Sequence, residues 1–110
     1  MKKILVAFDV DGTLIDDKGQ INERIRTLLI TLASFKNVKV IVWSGGGELY
    51  ARQIANKLGI DKYVDAFGSK NHLGLENGKH VFAPDFQPDI AIDDIQDCTL
   101  GKLNLIVREK

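Results

Sequence analysis

The chain has 110 residues, a common size for one domain and too short for two ordinary ones. Hydrophobic residues make up 45% and charged residues 27%, a composition that excludes collagen-like and disordered proteins. The net charge is zero, which gives no reason to expect general nucleic-acid binding. The single cysteine excludes an intramolecular disulfide. No stretch approaches the roughly 18 apolar residues of a membrane span, and the first apolar run is interrupted at Asp9, so we expect a cytoplasmic protein without a membrane partner.

Short apolar runs alternate with helical patterns along the chain. The runs typical of strands are residues 4–8, 38–43, 63–67, 89–92 and 103–107. Apolar residues at helical spacing predict one helix after Asn22, its expected N-cap, and a second helix that ends before Gly59. Because strands that alternate with helices form βαβ units, we predict an α/β fold with a mostly parallel five-stranded sheet, in one domain over residues 1–110.

Residues 68–83 have two interpretations. Asn77-Gly78 is a typical hairpin turn between the segments 72–75 and 79–82. A helix is the competing interpretation, and both are kept.

An acidic motif directly follows the first predicted strand. In Asp9-Val10-Asp11-Gly12-Thr13 the two aspartates are two residues apart, so that on an extended chain their side chains point the same way. Two neighbouring carboxylates repel each other unless a cation neutralises them or one keeps a proton. The motif therefore suits an anionic nucleophile or metal ligand beside a proton carrier. The structural alternative is an acidic turn at the end of a strand.

A second acidic pair, Asp93-Asp94, follows the fourth predicted strand. In open parallel sheets, ligands bind beyond the carboxyl ends of the strands, where the strand order reverses. If the first three strands run outward to one side and the fourth returns beside the first, the two acidic pairs face each other across that crevice. Carboxylate oxygens of this kind suit Mg²⁺. The structural alternative is that one of the pair caps the turn at residues 95–98.

Two further pieces suit a bound phosphate. Ser44 and the glycines 45–47 come after the second strand and just before a helix, where a hydroxyl and free backbone amides bind anions. The alternative is that Ser44 only caps the helix. Lys70 is the candidate cation that balances the acids and a phosphate, with Lys79 as its rival. Three residues have no recognisable partner and are interpreted as surface or packing residues: His72, His80 and Cys98.

In this order, the four pieces resemble the motifs of the haloacid dehalogenase (HAD) superfamily, and specifically its phosphatases with an aspartate nucleophile. The four motifs of the family correspond to Asp9–Thr13 (Asp-x-Asp-x-Thr), Ser44, Lys70 and the pair Asp93-Asp94. The resemblance covers nearly the whole chain. It implies a Rossmann-like, HAD-like three-layer sandwich.

The resemblance also implies a Mg²⁺-dependent phosphomonoester hydrolase. In such an enzyme Asp9 forms an aspartyl-phosphate, and Asp11 is the general acid and base. Ser44, Gly45 and Lys70 would bind the phosphate, and Lys70 would also neutralise the nucleophile. The implied metal ligands are Asp9, Asp11 through its backbone carbonyl, Asp93, and Asp94, which either binds through water or orients Lys70.

Two features depart from the family pattern. Gly45-Gly46 stand where many members have Gly-Arg or Asn-Arg, and Arg52 lies too far along the chain to substitute. Neither residues 14–21 nor residues 71–92 are long enough for a cap domain, so we expect none. The resemblance implies that members of the family without a cap have open sites. Such enzymes act on large phosphorylated molecules or use a neighbouring subunit as a lid. Sugar phosphates, nucleotides, phosphoproteins and nucleic-acid ends all stay open as substrates.

Two other classes of protein compete with the hydrolase. A receiver-like signalling domain also combines clustered acids, a hydroxyl and a lysine, but its phosphorylated aspartate follows a middle strand, where this chain has Ser44. A noncatalytic scaffold with the same fold is the other alternative.

Overall fold

The computed structural model describes residues 3–96 and 98–108. In chain order its elements are β1 (Ile4–Asp9), α1 (Glu23–Ala33), β2 (Val38–Ser44), α2 (Glu48–Lys57), a 3₁₀ turn (Asp61–Tyr63), β3 (Ala66–Ser69), β4 (His72–Glu76), β5 (Lys79–Phe82), β6 (Ile90–Asp93) and β7 (Leu103–Ile106). The predicted alternation of strands and helices is confirmed. The third strand begins later than predicted, because the 3₁₀ turn takes up the first residue of that run, Tyr63.

Five strands form one parallel sheet in the order β3-β2-β1-β6-β7. The strand order therefore reverses between β1 and β6, as predicted. Asp9 and Asp93 are the last residues of these two strands. Both acidic pairs consequently lie at the same edge of the sheet, beside the crevice in which ligands of such folds bind.

Helix α1 begins, and helix α2 ends, where the sequence predicts. The Asn22 side chain caps α1 by accepting hydrogen bonds from the backbone N–H groups of Arg24 and Ile25. Beyond α2, Gly59 adopts a positive φ of 72°, a conformation that glycine reaches without a Cβ clash.

Both helices cover the same face of the sheet. Alternate strand residues such as Val6, Phe8 and Val42 are buried in one cluster with Leu29 of α1 and with α2. This follows from the topology, because successive right-handed crossovers that advance in one direction place their helices on one side.

In the part of the chain that the structure describes, no helix packs on the opposite face of the sheet. It buries Ala7, Ile41 and Trp43 under irregular segments that contribute Phe86 and Leu100. The sandwich thus has three layers, with loops in place of helices in the third. Trp43 is fully buried on this face.

A two-stranded antiparallel hairpin, β4 and β5, lies between β3 and β6 in the chain. Asn77 and Gly78 have φ values of 53° and 77°, as a tight turn between twisted strands requires. Of the two interpretations of residues 68–83, the hairpin is therefore correct and the helix is wrong. Residues 3–96 and 98–108 contain no cap domain. Within the described residues, neither helix is long and apolar enough to cross a bilayer.

Candidate active site

A buried lysine joins the ends of β1 and β6. Lys70 follows β3, and its backbone N–H donates to the carbonyl of Ser44 at the end of β2. From there its Nζ donates to Asp9 Oδ1 at 2.8 Å and to Asp93 Oδ2 at 3.1 Å. All three side chains are at most 5% exposed. The parallel topology thus brings together three charges that lie far apart in the sequence.

The cluster of Asp9, Asp93 and Lys70 has two acidic side chains and only one basic side chain. Burial, followed by the charge of Asp93, raises the pKa of Asp9 to about 8, and Lys70 offsets only part of this rise. Burial also raises the pKa of Asp93, against the opposing effects of Lys70 and the Ile95 backbone N–H. Burial alone would lower the pKa of Lys70, but Asp9 and Asp93 raise it above its ordinary value. Lys70 therefore stays protonated, and its positive charge neutralises the two carboxylates only in part.

The site has an oxygen donor set for a further cation. Asp9, Asp93 and Asp94 each offer a carboxylate oxygen, and these atoms lie within 4.8 Å of one another. Asp94 is exposed, and it packs so closely on Gly12 that a Cβ there would lie 2.1 Å from Asp94 Oδ2. Three hard oxygen ligands with uncompensated negative charge and one open side fit Mg²⁺. In the structure, Lys70 is oriented by Asp93, and no hydrogen bond joins it to Asp94 among the described residues.

Asp11 is placed differently from these three acids. It is exposed, and its Oδ1 accepts a hydrogen bond of 2.8 Å from the hydroxyl of Tyr50. Burial and the Asp11 carboxylate raise the pKa of Tyr50 to about 12, so the hydroxyl keeps its proton. The Asp11 carboxylate is not one of the three that face the cation site. The metal contact implied for Asp11 uses its backbone carbonyl and stays a prediction.

Thr13 supports Asp9 from the other side. It is fully buried, and its hydroxyl donates to Asp9 Oδ2 at 3.3 Å. Both oxygens of Asp9 therefore accept a hydrogen bond, one from Thr13 and one from Lys70. Sequence reasoning included Thr13 in the motif without a role, and the structure gives it one in orienting this carboxylate.

Ser44 does not cap α2, so that alternative is wrong. The N-cap is Gly47, which has a φ of 106° and no capping side chain. Ser44 Oγ instead accepts a hydrogen bond of 3.0 Å from the backbone N–H of Gly46. Ser44 and Gly45 line a small cavity of about 250 Å³ that also contacts Asp9 and Lys70. The Ser44 hydroxyl thus lies at the wall of the cavity that Asp9 also lines.

The structure separates Lys70 from its rival Lys79. Lys79 begins β5 and is exposed on the hairpin, paired across it with Glu76. Lys70 alone of the two contacts Asp9.

The interpretation of His72 and His80 as residues without a partner is wrong. Nε2 of His72 lies 2.9 Å from Nδ1 of His80, and both rings line the cavity beside Asp9 together with Phe82. A usable signal was present in the sequence, because the two histidines flank the Asn77-Gly78 turn. It depended on preferring the hairpin to the helix.

Two other predictions concern structural roles. Cys98 is buried, and the burial raises the pKa of its thiol, which is consistent with the packing role predicted for it. Asp93 Oδ1 accepts a hydrogen bond of 3.1 Å from the backbone N–H of Ile95, so Asp93 also holds the turn that follows β6. The capping alternative and the place of Asp93 in the charged cluster are thus both correct.

Fold and site together define an α/β protein in which a lysine and paired carboxylates meet where the strand order of a parallel sheet reverses. A family model described as haloacid dehalogenase-like hydrolase matches residues 6–109, and the chain belongs to this family. No curated protein and no solved structure matches the chain significantly. The resemblance seen in the sequence motifs is thereby confirmed at the level of the family.

Proposed function

We propose that the protein is a Mg²⁺-dependent phosphomonoester hydrolase that acts through an aspartyl-phosphate on Asp9. The observation that carries this proposal is the position of Asp9 in the cluster. Its carboxylate lies at the cavity wall beside Ser44 and is held on both oxygens by Lys70 and Thr13. A carboxylate fixed in this way suits nucleophilic attack more than proton transfer.

In the first step, a carboxylate oxygen of Asp9 attacks phosphorus as the bond from phosphorus to the ester oxygen breaks. The electron pair of that bond leaves with the ester oxygen, which takes a proton from Asp11 and departs as the alcohol. Asp11 suits this role because its carboxylate is exposed at the rim of the same cavity and is separate from the carboxylates at the cation site.

In the second step, water attacks the phosphorus of the aspartyl-phosphate. Asp11, now ionised, takes a proton from this water, and the bond between phosphorus and Asp9 breaks. Inorganic phosphate leaves, and Asp9 and Asp11 return to their starting states. The two steps together consume one water and release one alcohol and one phosphate.

Charge stabilisation is the main task of such a site, since phosphoryl transfer needs little further covalent chemistry. Lys70, Ser44 and the backbone at Gly45 would bind phosphoryl oxygens on the cavity side. Asp9, Asp93 and Asp94 would hold Mg²⁺, with the Asp11 carbonyl as a further ligand. When bound, the ion supplies positive charge to phosphoryl oxygens and lowers the repulsion between the phosphate and the carboxylates.

The proposed function also leads to expectations about the substrate, the partner and the cellular location of the protein. Among the residues that the structure describes, no cap domain lies above the site, and the hairpin β4–β5 borders it on one side. We therefore expect a phosphorylated molecule large enough to cover an open site, or a second copy of the chain as its lid. A single domain over residues 1–110 and a cytoplasmic location are the other expectations that go with this function.

The test is phosphate release from p-nitrophenyl phosphate with Mg²⁺, for the wild type and for Asp9→Asn. Asp9→Asn keeps the size of the side chain and removes the nucleophile, so we expect activity to fall by at least about a thousandfold. Asp61→Asn, at an exposed acid of the 3₁₀ turn, is the matched control and keeps wild-type activity. Activity retained in Asp9→Asn contradicts the assignment of the nucleophile.

A further inference from the structure

Tyr50 lies in the first turn of α2 and reaches the acidic motif 39 residues before it. Its side chain is half-buried, and its hydroxyl donates to Asp11 Oδ1 at 2.8 Å. A phenol ring has only two rotatable side-chain bonds, and here it extends from a regular helix. The oxygen of Tyr50 is therefore a well-placed donor at the rim of the site.

The two buried acids of the site have more support than Asp11. Asp9 accepts from Lys70 and Thr13, and Asp93 accepts from Lys70 and a backbone N–H. Within residues 3–96 and 98–108, the Asp11 carboxylate accepts a hydrogen bond only from Tyr50. Because Asp11 is also exposed, its orientation depends on this one contact.

The glycine loop lies beside Tyr50. A Cβ at Gly46 would lie at an ordinary van der Waals distance, 3.4 Å, from both Tyr50 Cδ2 and Ser44 Oγ. The Tyr50 ring thus packs against the loop at the position where many family members have an arginine. The departure of this chain from the family pattern and the presence of Tyr50 beside Asp11 therefore belong to one local arrangement.

We propose that Tyr50 is the positioning residue that orients Asp11 for proton transfer. The hydroxyl of Tyr50 holds Oδ1 of Asp11, which leaves Oδ2 to carry the proton that goes to the departing ester oxygen and, later, the proton taken from water. This inference rests on the proposed hydrolase function and extends it to a residue outside the four motifs.

A leaving-group comparison tests the proposal. p-Nitrophenolate departs with little need of a proton, whereas phenolate from phenyl phosphate depends more on the general acid. The value of kcat/KM reports the step in which the ester bond breaks. For Tyr50→Phe we expect kcat/KM to fall about tenfold or more with phenyl phosphate and at most about threefold with p-nitrophenyl phosphate. Both losses are small compared with the whole contribution of general acid catalysis to the rate.

The control and the double mutant separate positioning from folding. Tyr63→Phe alters the only other tyrosine, and it leaves both substrates at wild-type rates. In an Asp11→Asn background, Tyr50→Phe has no further effect on the ratio of the two substrates. Equal losses on both substrates in Tyr50→Phe, or no loss, overturn the proposal for Tyr50 alone.

The two proposals fail in different ways. If the wild type releases no phosphate from either ester in Mg²⁺, the hydrolase function falls, and the role of Tyr50 falls with it. If the wild type is active and Tyr50→Phe keeps the wild-type ratio, the hydrolase function stands without Tyr50. Phe keeps the ring that packs against Gly46, and a wild-type melting temperature for Tyr50→Phe checks that the fold is intact.

Discussion

The ends of β1 and β6 have similar acidic sequence patterns and different surroundings. Each strand ends in a buried aspartate, Asp9 or Asp93, and each is followed within two residues by an exposed one, Asp11 or Asp94. The buried acids share Lys70, but the exposed acids diverge. Asp94 is one of the three carboxylates of the candidate cation site, whereas Asp11 accepts a hydrogen bond from Tyr50. An acidic pair after a strand thus defines the place of a site, and the neighbouring elements decide the role of each acid.

The largest effect is expected from removing what the two buried acids share. Lys70→Met leaves two carboxylates in the interior without a cation. Breaking a buried ion pair by deleting one partner costs about 3–5 kcal/mol, because the remaining charge is buried and uncompensated. We expect a loss of this size in the free energy of unfolding, measured with urea in EDTA at about pH 9, where Asp9, whose pKa is about 8, is ionised in the folded wild type.

Lys79→Met is the matched control, because Lys79 is exposed on the hairpin and has no ion pair among the described residues. It should change stability by at most about 0.5 kcal/mol. Equal unfolding midpoints for the two variants would show that Lys70 does not hold the two strand ends together. Addition of Mg²⁺ should restore part of the stability of Lys70→Met, since an ion at the three carboxylates replaces some of the missing charge.

The two buried acids also predict a pH dependence of stability. The pKa of Asp9 rises from 3.8 in an unperturbed side chain to about 8 in the fold. Between about pH 4 and pH 8 the folded protein therefore binds a proton that the unfolded chain has released. The stability linked to Asp9 is fully present below this window and is lost as pH rises through it, by up to about 1.4 kcal/mol per pH unit.

Asp9→Asn removes this linkage, so its unfolding free energy in EDTA should vary less between pH 5 and 8 than that of the wild type, in line with about one proton. Asp93→Asn should flatten the curve in the same direction, since burial also raises the pKa of Asp93. Asp61→Asn keeps the wild-type slope. Parallel curves for Asp9→Asn and the wild type would mean that Asp9 is ionised in the fold despite its burial.

Much of this comparison was accessible from the sequence, for a physical reason. Apolar runs such as residues 4–8 and 38–43 are typical of strands buried on both faces, and their alternation with helices restricts the order of the sheet. Once β1 and β6 are neighbours, Asp9 and Asp93 must meet at one edge. The backbone topology therefore predicted the crevice.

Contacts that depend on side-chain direction were not predictable in this way. The hydrogen bond from Tyr50 to Asp11 depends on the rotation of α2 about its own axis. The sequence does not determine this rotation, because the glycine loop before the helix is flexible. The contact between His72 and His80 depends on the register of a hairpin with a bulge between His72 and Gly74. Both arise from tertiary packing, which periodicity does not encode.

The smallest expected effect separates the two exposed acids. Asp94→Asn removes one of three carboxylates at the cation site, and we expect Mg²⁺ affinity to fall about tenfold, or about 1.4 kcal/mol, in calorimetric titrations. Asp11→Asn keeps its backbone carbonyl, and its side chain is turned toward Tyr50, so its Mg²⁺ affinity should stay within about twofold of the wild type. Neither exposed substitution should change the stability in EDTA by more than about 0.5 kcal/mol. Equal losses of Mg²⁺ affinity in both variants would place the Asp11 carboxylate at the ion and remove the distinction between the two strand ends.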